Sequence, residues 1–173
     1  MRMIFLHTLT FLGILCGVSA KSLPYRNVAL RGRATQSTIL NDYRWGFQSD
    51  AINAVDGNQD PNAHHGSCSH TDKQLSPWWR VDLLKPYKIA YIKVTNRYHF
   101  SYRLNGAEIL IGDSLSDNGN HNPRCAVITS IPDGATQTFY CHGMTGRYVN
   151  IIIRGKYEFL QLCEVQIWTA TSD

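Results

Sequence analysis

Tyr87-Lys88-Ile89-Ala90-Tyr91-Ile92-Lys93-Val94-Thr95-Asn96 alternates Ile89 and Tyr91 against Ala90, Ile92 and Val94. Successive side chains of an extended chain point to opposite faces, and β-branched and aromatic residues suit a pleated surface, so the stretch reads as a strand. Working outward, residues 107–111, 126–129, 148–153 and 160–168 are similar short runs rich in Ile, Val, Tyr and Leu. Between them stand Asn105-Gly106, Asp117-Asn118-Gly119, Pro132-Asp133-Gly134 and Thr145-Gly146, all residue pairs or triplets that favour turns. Only residues 50–55 look helical, for one or two turns. There is no internal repeat, no low-complexity tract and no strand–Gly-rich-loop–helix unit. Many short strands with regular turns predict an all-β, single-domain sandwich of jelly-roll type.

Residues 1–20 stand apart from that pattern. Arg2 supplies one positive charge, an apolar run covers residues 4–18, and Val18-Ser19-Ala20 places small residues where signal peptidase cuts. His7, Thr8 and Thr10 interrupt the run, which falls short of the about 20 apolar residues of a membrane span. The expectation is a signal peptide over 1–20 and a secreted domain over 21–173. The chain has 17 basic and 13 acidic residues. Losing Arg2 leaves 16 against 13, a scattered net charge of +3 that does not indicate a nucleic-acid surface. Cys16 would leave with the signal. Cys68, Cys125, Cys141 and Cys163 remain, an even number in an oxidising compartment, which reads as two disulfides with three possible connectivities.

The densest polar segment is Asn53-Ala54-Val55-Asp56-Gly57-Asn58-Gln59-Asp60-Pro61-Asn62-Ala63-His64-His65-Gly66-Ser67-Cys68-Ser69-His70. Asp56, Asn58 and Asp60 alternate like half of a calcium loop, but Pro61 stands where an EF-hand needs glycine. Hard oxygen donors still suit calcium, while the plainer reading is an Asx-rich turn that satisfies its own backbone. His64, His65 and His70 do not make a zinc site, because no thiol is free once two disulfides form. Gly66-Ser67-Cys68 lacks the second glycine of a nucleophile elbow, and the carboxylates are too dispersed for a glycosidase pair. Nothing demands an enzyme. Arg97 and Arg103 flank a loop holding Tyr98, His99, Phe100 and Tyr102. Two guanidinium forks beside aromatic rings suit vicinal hydroxyls or an anion, and the competing reading is two surface arginines lying over aromatic neighbours.

Four stretches carry a family resemblance. Trp78-Trp79-Arg80-Val81-Asp82-Leu83-Leu84, Thr95-Asn96-Arg97, Arg103-Leu104-Asn105-Gly106-Ala107-Glu108-Ile109 and Leu160-Gln161-Leu162-Cys163-Glu164-Val165 resemble the F-type lectins, or fucolectins. The similarity runs from Asn27 to Trp168. It implies a discoidin-like jelly-roll β-sandwich, a structural Ca2+ ion and a shallow fucose site at one end of the barrel. The family's sugar motif is a histidine followed, after a long gap, by Arg-x-Asp-x4-Arg or Lys. His70, Arg97 and Arg103 match its histidine and two basic positions, as hydrogen-bonding donors. The resemblance also implies calcium ligation by the side chains of Asp56, Ser67 and Glu164 and the carbonyls of Asn53, Asn58 and Cys163. It pairs Cys68 with Cys163 and Cys125 with Cys141.

The departures from that pattern are local. His99 stands where the motif has aspartate, which removes a counter-charge for Arg97 and Arg103. Phe100 and Ser101 stand where many members have two adjacent cysteines, whose disulfide lies against the sugar. Phe100 is expected to replace that disulfide as an apolar platform. The pocket for the fucose methyl would draw on Ala63 and His64, with Leu40, Tyr43 or Trp45. The reading is a secreted, non-enzymatic lectin of innate recognition. Its partners are fucosylated glycans, with no nucleic acid and no lipid, and it forms a homo-oligomer, by family resemblance a trimer. The competing reading is an adhesion module of the same fold with altered or lost fucose specificity.

Overall fold

The computed structural model describes residues 25–40 and 49–171. The predicted signal peptide over 1–20, and Tyr43 and Trp45, lie outside the described residues. In chain order the strands are β1 Tyr25–Asn27, β2 Arg33–Gln36, β3 Ser69–His70, β4 Gln74–Leu75, β5 Trp78–Thr95, β6 Ala107–Gly112, β7 Arg124–Ile128, β8 Thr136–Ile152, β9 Tyr157–Glu158, β10 Gln161–Leu162 and β11 Glu164–Ala170. All pairings are antiparallel. The large sheet runs β1-β11-β5-β8-β6-β7, with β2 added on β5.

Two long strands turn this sheet into a sandwich. The first part of β5, residues 78–82, lies between β2 and the end of β8, which itself carries β6. The second part, residues 87–95, lies between β11 and the start of β8. Each half belongs to a different layer, as the all-β expectation requires. The stretch 87–96 covers the second half of β5, which ends at Thr95, yet Ile89, Ile92 and Val94 are all buried. Ala90 is the reason. It is skipped in the pairing with β11 and faces residues 141–143 of β8, and this bulge moves the following residues to the other face.

Thr145-Gly146 is not a turn, contrary to expectation, but lies inside β8 opposite Lys88 and Tyr87. The glycine serves a close approach: a Cβ on Gly146 would meet the Gly112 nitrogen at 2.5 Å. Residues 160–168 are likewise not one strand, because Cys163 breaks the run into β10 and β11. The short helix appears as a single 3-10 turn, Ala51–Ala54.

Between the layers lie Trp79, Val81, Ile89, Ile92, Ile109, Ile111, Val149, Ile151, Val165 and Ile167, each at most 1% exposed. Full burial of such side chains contributes about 1.5–3 kcal/mol each. The Trp79 indole keeps a polar partner by donating to the Ala51 carbonyl at 2.9 Å. Cys68 pairs with Cys163 and Cys125 with Cys141. Cross-links closing 95 and 16 residues stabilise by about 4.7 and 3 kcal/mol in the chain-entropy picture.

Candidate functional site

His70, Arg97 and Arg103 come from three separated segments and meet at one end of the sandwich. His70 ends β3, which pairs with β10 so that His70 lies opposite Gln161. Its imidazole is 2% exposed and its Nδ1 lies 2.7 Å from the Thr71 carbonyl oxygen. A carbonyl can only accept, so Nδ1 carries the proton. Burial holds the ring's pKa down to about 4, helped by the nearby Arg97 and Arg103 charges and opposed by hydrogen bonds to Thr71 and Gln161. The ring is therefore neutral at physiological pH, and its second nitrogen faces the Gln161 side chain.

Arg97 stands two residues after the end of β5. It is 5% exposed, not a surface arginine, and its Nη1 donates to Gln161 Oε1 at 2.8 Å. Asn96, just before it, fixes the loop by donating to the Ser101 and Ile131 carbonyls at 3.1 and 2.8 Å. His99 and Phe100 then take left-handed backbone angles, φ +67° and +60°. For non-glycine residues such angles cost of order 1–3 kcal/mol and persist where surrounding structure imposes them.

That strained turn brings Phe100 back over the arginines. The Arg103 guanidinium carbon is 4.4 Å from the centre of the Phe100 ring and 4.4 Å from that of Phe159. Arg97 lies 5.4 Å from the Phe100 centre, and Phe159 meets His70 edge-on at 5.3 Å. Phe100 is therefore a packing surface for the arginines. Arg103 Nε also lies 3.8 Å from Glu158 Oε1. This carboxylate, from β9, supplies the counter-charge that His99 does not. Sequence reasoning missed Glu158, Phe159 and Gln161. For Gln161 the signal was its place two residues before Cys163, whose bridge to Cys68 brings that strand beside His70, while Glu158 pairs with Gln74.

The polar loop sits at the other end of the same rungs. Next to the rungs that set His70 opposite Gln161 and Ser69 opposite Leu162 comes the Cys68–Cys163 bridge, whose chain neighbours are Ser67 and Glu164. Glu164 is fully buried, and its Oε1 has no hydrogen-bond partner. Burial, with the Asp56 charge added, raises its pKa to about 8, while the Gly57 N–H bonded to Oε2 opposes the shift. The Ser67 hydroxyl is buried and donates to the carbonyls of Asp60 and Asn62 at 2.6 and 3.1 Å. Asn53 reaches the Cys68 carbonyl at 3.4 Å, and Asp56 accepts from the Asn58 N–H at 2.8 Å. An uncompensated buried carboxylate beside a second one, among carbonyl and hydroxyl oxygens, fits a hard divalent cation.

Among the described residues no group of three or more His, Cys, Asp or Glu side chains gathers as a metal site. His64 and His65 are exposed, and His65 pairs with Asp60 at 2.6 Å. Ala63 is buried against the Cys68–Cys163 bridge, and the Leu40 N–H donates to the His70 carbonyl at 2.9 Å.

A family model described as a NedA-like, galactose-binding domain matches residues 53–151. Fucolectin-4 of Anguilla japonica is 53% identical over 143 residues, which are 82% of this chain and 78% of that protein. The crystal structure of a fucolectin from striped bass (Morone saxatilis) serum matches with a TM-score of 0.79 and 53% identity over 84% of this chain. The chain spans about half, 48%, of that protein's length. A fucose binding module of Streptococcus pneumoniae matches with a TM-score of 0.69 and 26% identity, over 84% of this chain and 99% of the module. The chain belongs to the fucolectins, the F-type lectins, a family of non-enzymatic sugar-binding proteins with a discoidin-like β-sandwich.

Proposed function

We propose that this chain is a secreted lectin that binds terminal fucose on glycoconjugates at His70, Arg97 and Arg103. The observation that carries the reading is the convergence of two oriented guanidiniums with one buried, neutral imidazole. A sugar ring oxygen only accepts and so belongs with a guanidinium. A hydroxyl also accepts, so it too can take a bond from an arginine. Fucose has an axial 4-hydroxyl beside an equatorial 3-hydroxyl and the ring oxygen, an asymmetric set that this arrangement can tell from its epimers. A misplaced hydroxyl leaves buried polar groups unpaired, which costs about 1–3 kcal/mol.

Calcium, in this reading, is held by Asp56, Ser67 and Glu164 with the carbonyls of Asn53, Asn58 and Cys163. The ion would supply the positive charge that Glu164 and Asp56 lack and would not touch sugar. Its effect on binding passes along the rungs from Ser67 and Glu164 to His70 and Gln161. Secretion and a role in innate recognition agree with the paired cysteines and with the serum origin of the striped bass protein. A homo-oligomer would raise avidity by about 10²–10⁴ over a single site. The altered-specificity reading rests on His99, and Glu158 beside Arg103 weighs against it.

Calorimetric titration with free L-fucose, with L-rhamnose as the control, tests the reading. A millimolar or tighter Kd for fucose alone is expected. No heat at tens of millimolar fucose would leave the altered-specificity reading in its place.

A further inference from the structure

The loop that carries Phe100 is stitched to two neighbouring turns. Asn96 donates its backbone N–H to the Ala135 carbonyl at 2.9 Å and its side-chain amide to the Ile131 carbonyl at 2.8 Å. The Gly134 N–H returns to the Arg97 carbonyl at 3.2 Å, and the Tyr98 N–H donates to the Pro61 carbonyl at 2.8 Å. These four bonds anchor the chain before the left-handed pair His99 and Phe100. Just past that pair, Ser101 is gripped at both polar groups of its backbone. Its carbonyl accepts from Asn96, at 3.1 Å, and its N–H donates to Asp133 Oδ1, at 3.0 Å.

Asn96 is buried and Asp133 is exposed, so the two grips differ in kind. Removing the amide would open the base of the loop. Removing the carboxylate leaves the four anchoring bonds in place and frees only the N–H that follows Phe100. Left-handed angles at two successive non-glycine residues persist only where the surroundings impose them, so a grip on both sides of the pair is needed. The pair in turn sets the Phe100 ring, which lies 4.4 Å from the Arg103 guanidinium carbon and 5.4 Å from that of Arg97. We propose that Asp133 is a positioning residue of the sugar site: by accepting from Ser101 it holds the His99–Phe100 turn that lays the Phe100 ring over the two arginines. The role belongs to the accepting oxygen and not to the charge, because Oδ1 meets a backbone N–H. This inference rests on the reading of Arg97 and Arg103 as fucose ligands.

The test compares Asp133→Ala and Asp133→Asn with the wild-type protein. Alanine fits the position, because the positive angle of the Pro132-Asp133-Gly134 turn falls on Gly134, at φ +68°. Melting reports folding, calorimetry with free L-fucose reports affinity, and the NMR shift of the Arg103 Nε proton reports where the ring lies. An aromatic face moves a proton above it upfield. Asp133→Ala should melt within about 2 °C of wild type, bind fucose about fivefold more weakly, and move the Arg103 signal downfield. Asp133→Asn keeps Oδ1 and should restore both affinity and signal. An unmoved Arg103 signal in Asp133→Ala would overturn the proposal, whatever the affinity. So would an Asp133→Asn variant that behaves like Asp133→Ala, since the charge would then be the cause. Absence of fucose binding by the wild type would count against the fucose reading, while the Arg103 signal would still decide the role of Asp133.

Discussion

Gln161 accepts a hydrogen bond from Arg97 Nη1 at 2.8 Å and shares another with the His70 ring, so one neutral amide joins the two buried polar groups of the site. An acidic residue there would pull a proton towards His70 and charge the ring. Gln161→Met keeps the volume and removes both bonds. It should weaken fucose binding about tenfold and lower stability by about 1–3 kcal/mol, because the buried Arg97 loses its partner. Calorimetry and urea unfolding read the two effects. Gln161→Met with wild-type affinity would show that Arg97 needs no such fixing.

Arg103 is held by faces and not by its fork. With Phe100 on one ring contact and Phe159 on the other, Phe159→Ala and Phe100→Ala should each weaken fucose binding roughly fivefold, at about 1 kcal/mol per cation–π contact. Leu in place of Phe keeps the apolar bulk without the ring's electrostatics and should recover less than half of the lost free energy. Full recovery by Leu would reduce the rings to filler.

Much of the fold was legible because β-structure writes a period-two signal, and the stretches around residues 92, 109 and 151 carry it. Ala90 and Gly146 were not legible. A bulge and a close approach of two backbones look locally like an ordinary strand residue and an ordinary turn glycine. In the candidate site, His70, Arg97 and Arg103 were marked by a family motif. Glu158, Phe159 and Gln161 were not, because their partners are distant in sequence: Gln161 meets His70 across a β-ladder, and Arg103 meets Glu158 and Phe159 from a separate turn. Arg97 misled for a related reason: arginine is seldom buried, and only Gln161 and the rings around it make burial tolerable.

Glu158 beside Arg103 bears on the departure at position 99. If this carboxylate already balances the arginines, His99→Asp should improve fucose affinity by less than about threefold, the scale of an exposed ion pair. Glu158→Gln should reduce affinity by a similar factor, with the loss recovered in the double variant. A His99→Asp variant tens of times tighter than wild type would show that the motif acid had no substitute.

Calcium removal should act on fold and binding together. A cation present at a hundred times its Kd stabilises by about 2.7 kcal/mol. For a domain of this size that is roughly 5–10 °C in Tm. Adding a chelator should lower Tm by that much and weaken fucose binding in parallel. Glu164→Gln removes the buried charge that the ion would neutralise, and its Tm should no longer respond to chelator. An unchanged wild-type Tm after chelation would leave the loop without a metal role.

The pH dependence follows from His70. Its pKa in the folded protein, about 4, lies below the ordinary 6.5, so the native state binds fewer protons than the unfolded state between these values. Stability from this group is complete above pH 6.5, falls as pH drops through that window, and levels off below about 4. The gap corresponds to about 3 kcal/mol at roughly 1.4 kcal/mol per pH unit. Fucose binding needs the neutral ring in the folded protein, so it should hold to about pH 5 and fail as pH approaches 4. There the new charge stands beside Arg97 and Arg103. Glu158 also faces Arg103, so the experiment compares wild type with His70→Gln in a Glu158→Gln background. His70→Gln removes the titrating ring and should flatten both the stability curve and the binding curve between pH 6.5 and 4. Parallel curves for the two proteins would mean that the acid sensitivity belongs to another group.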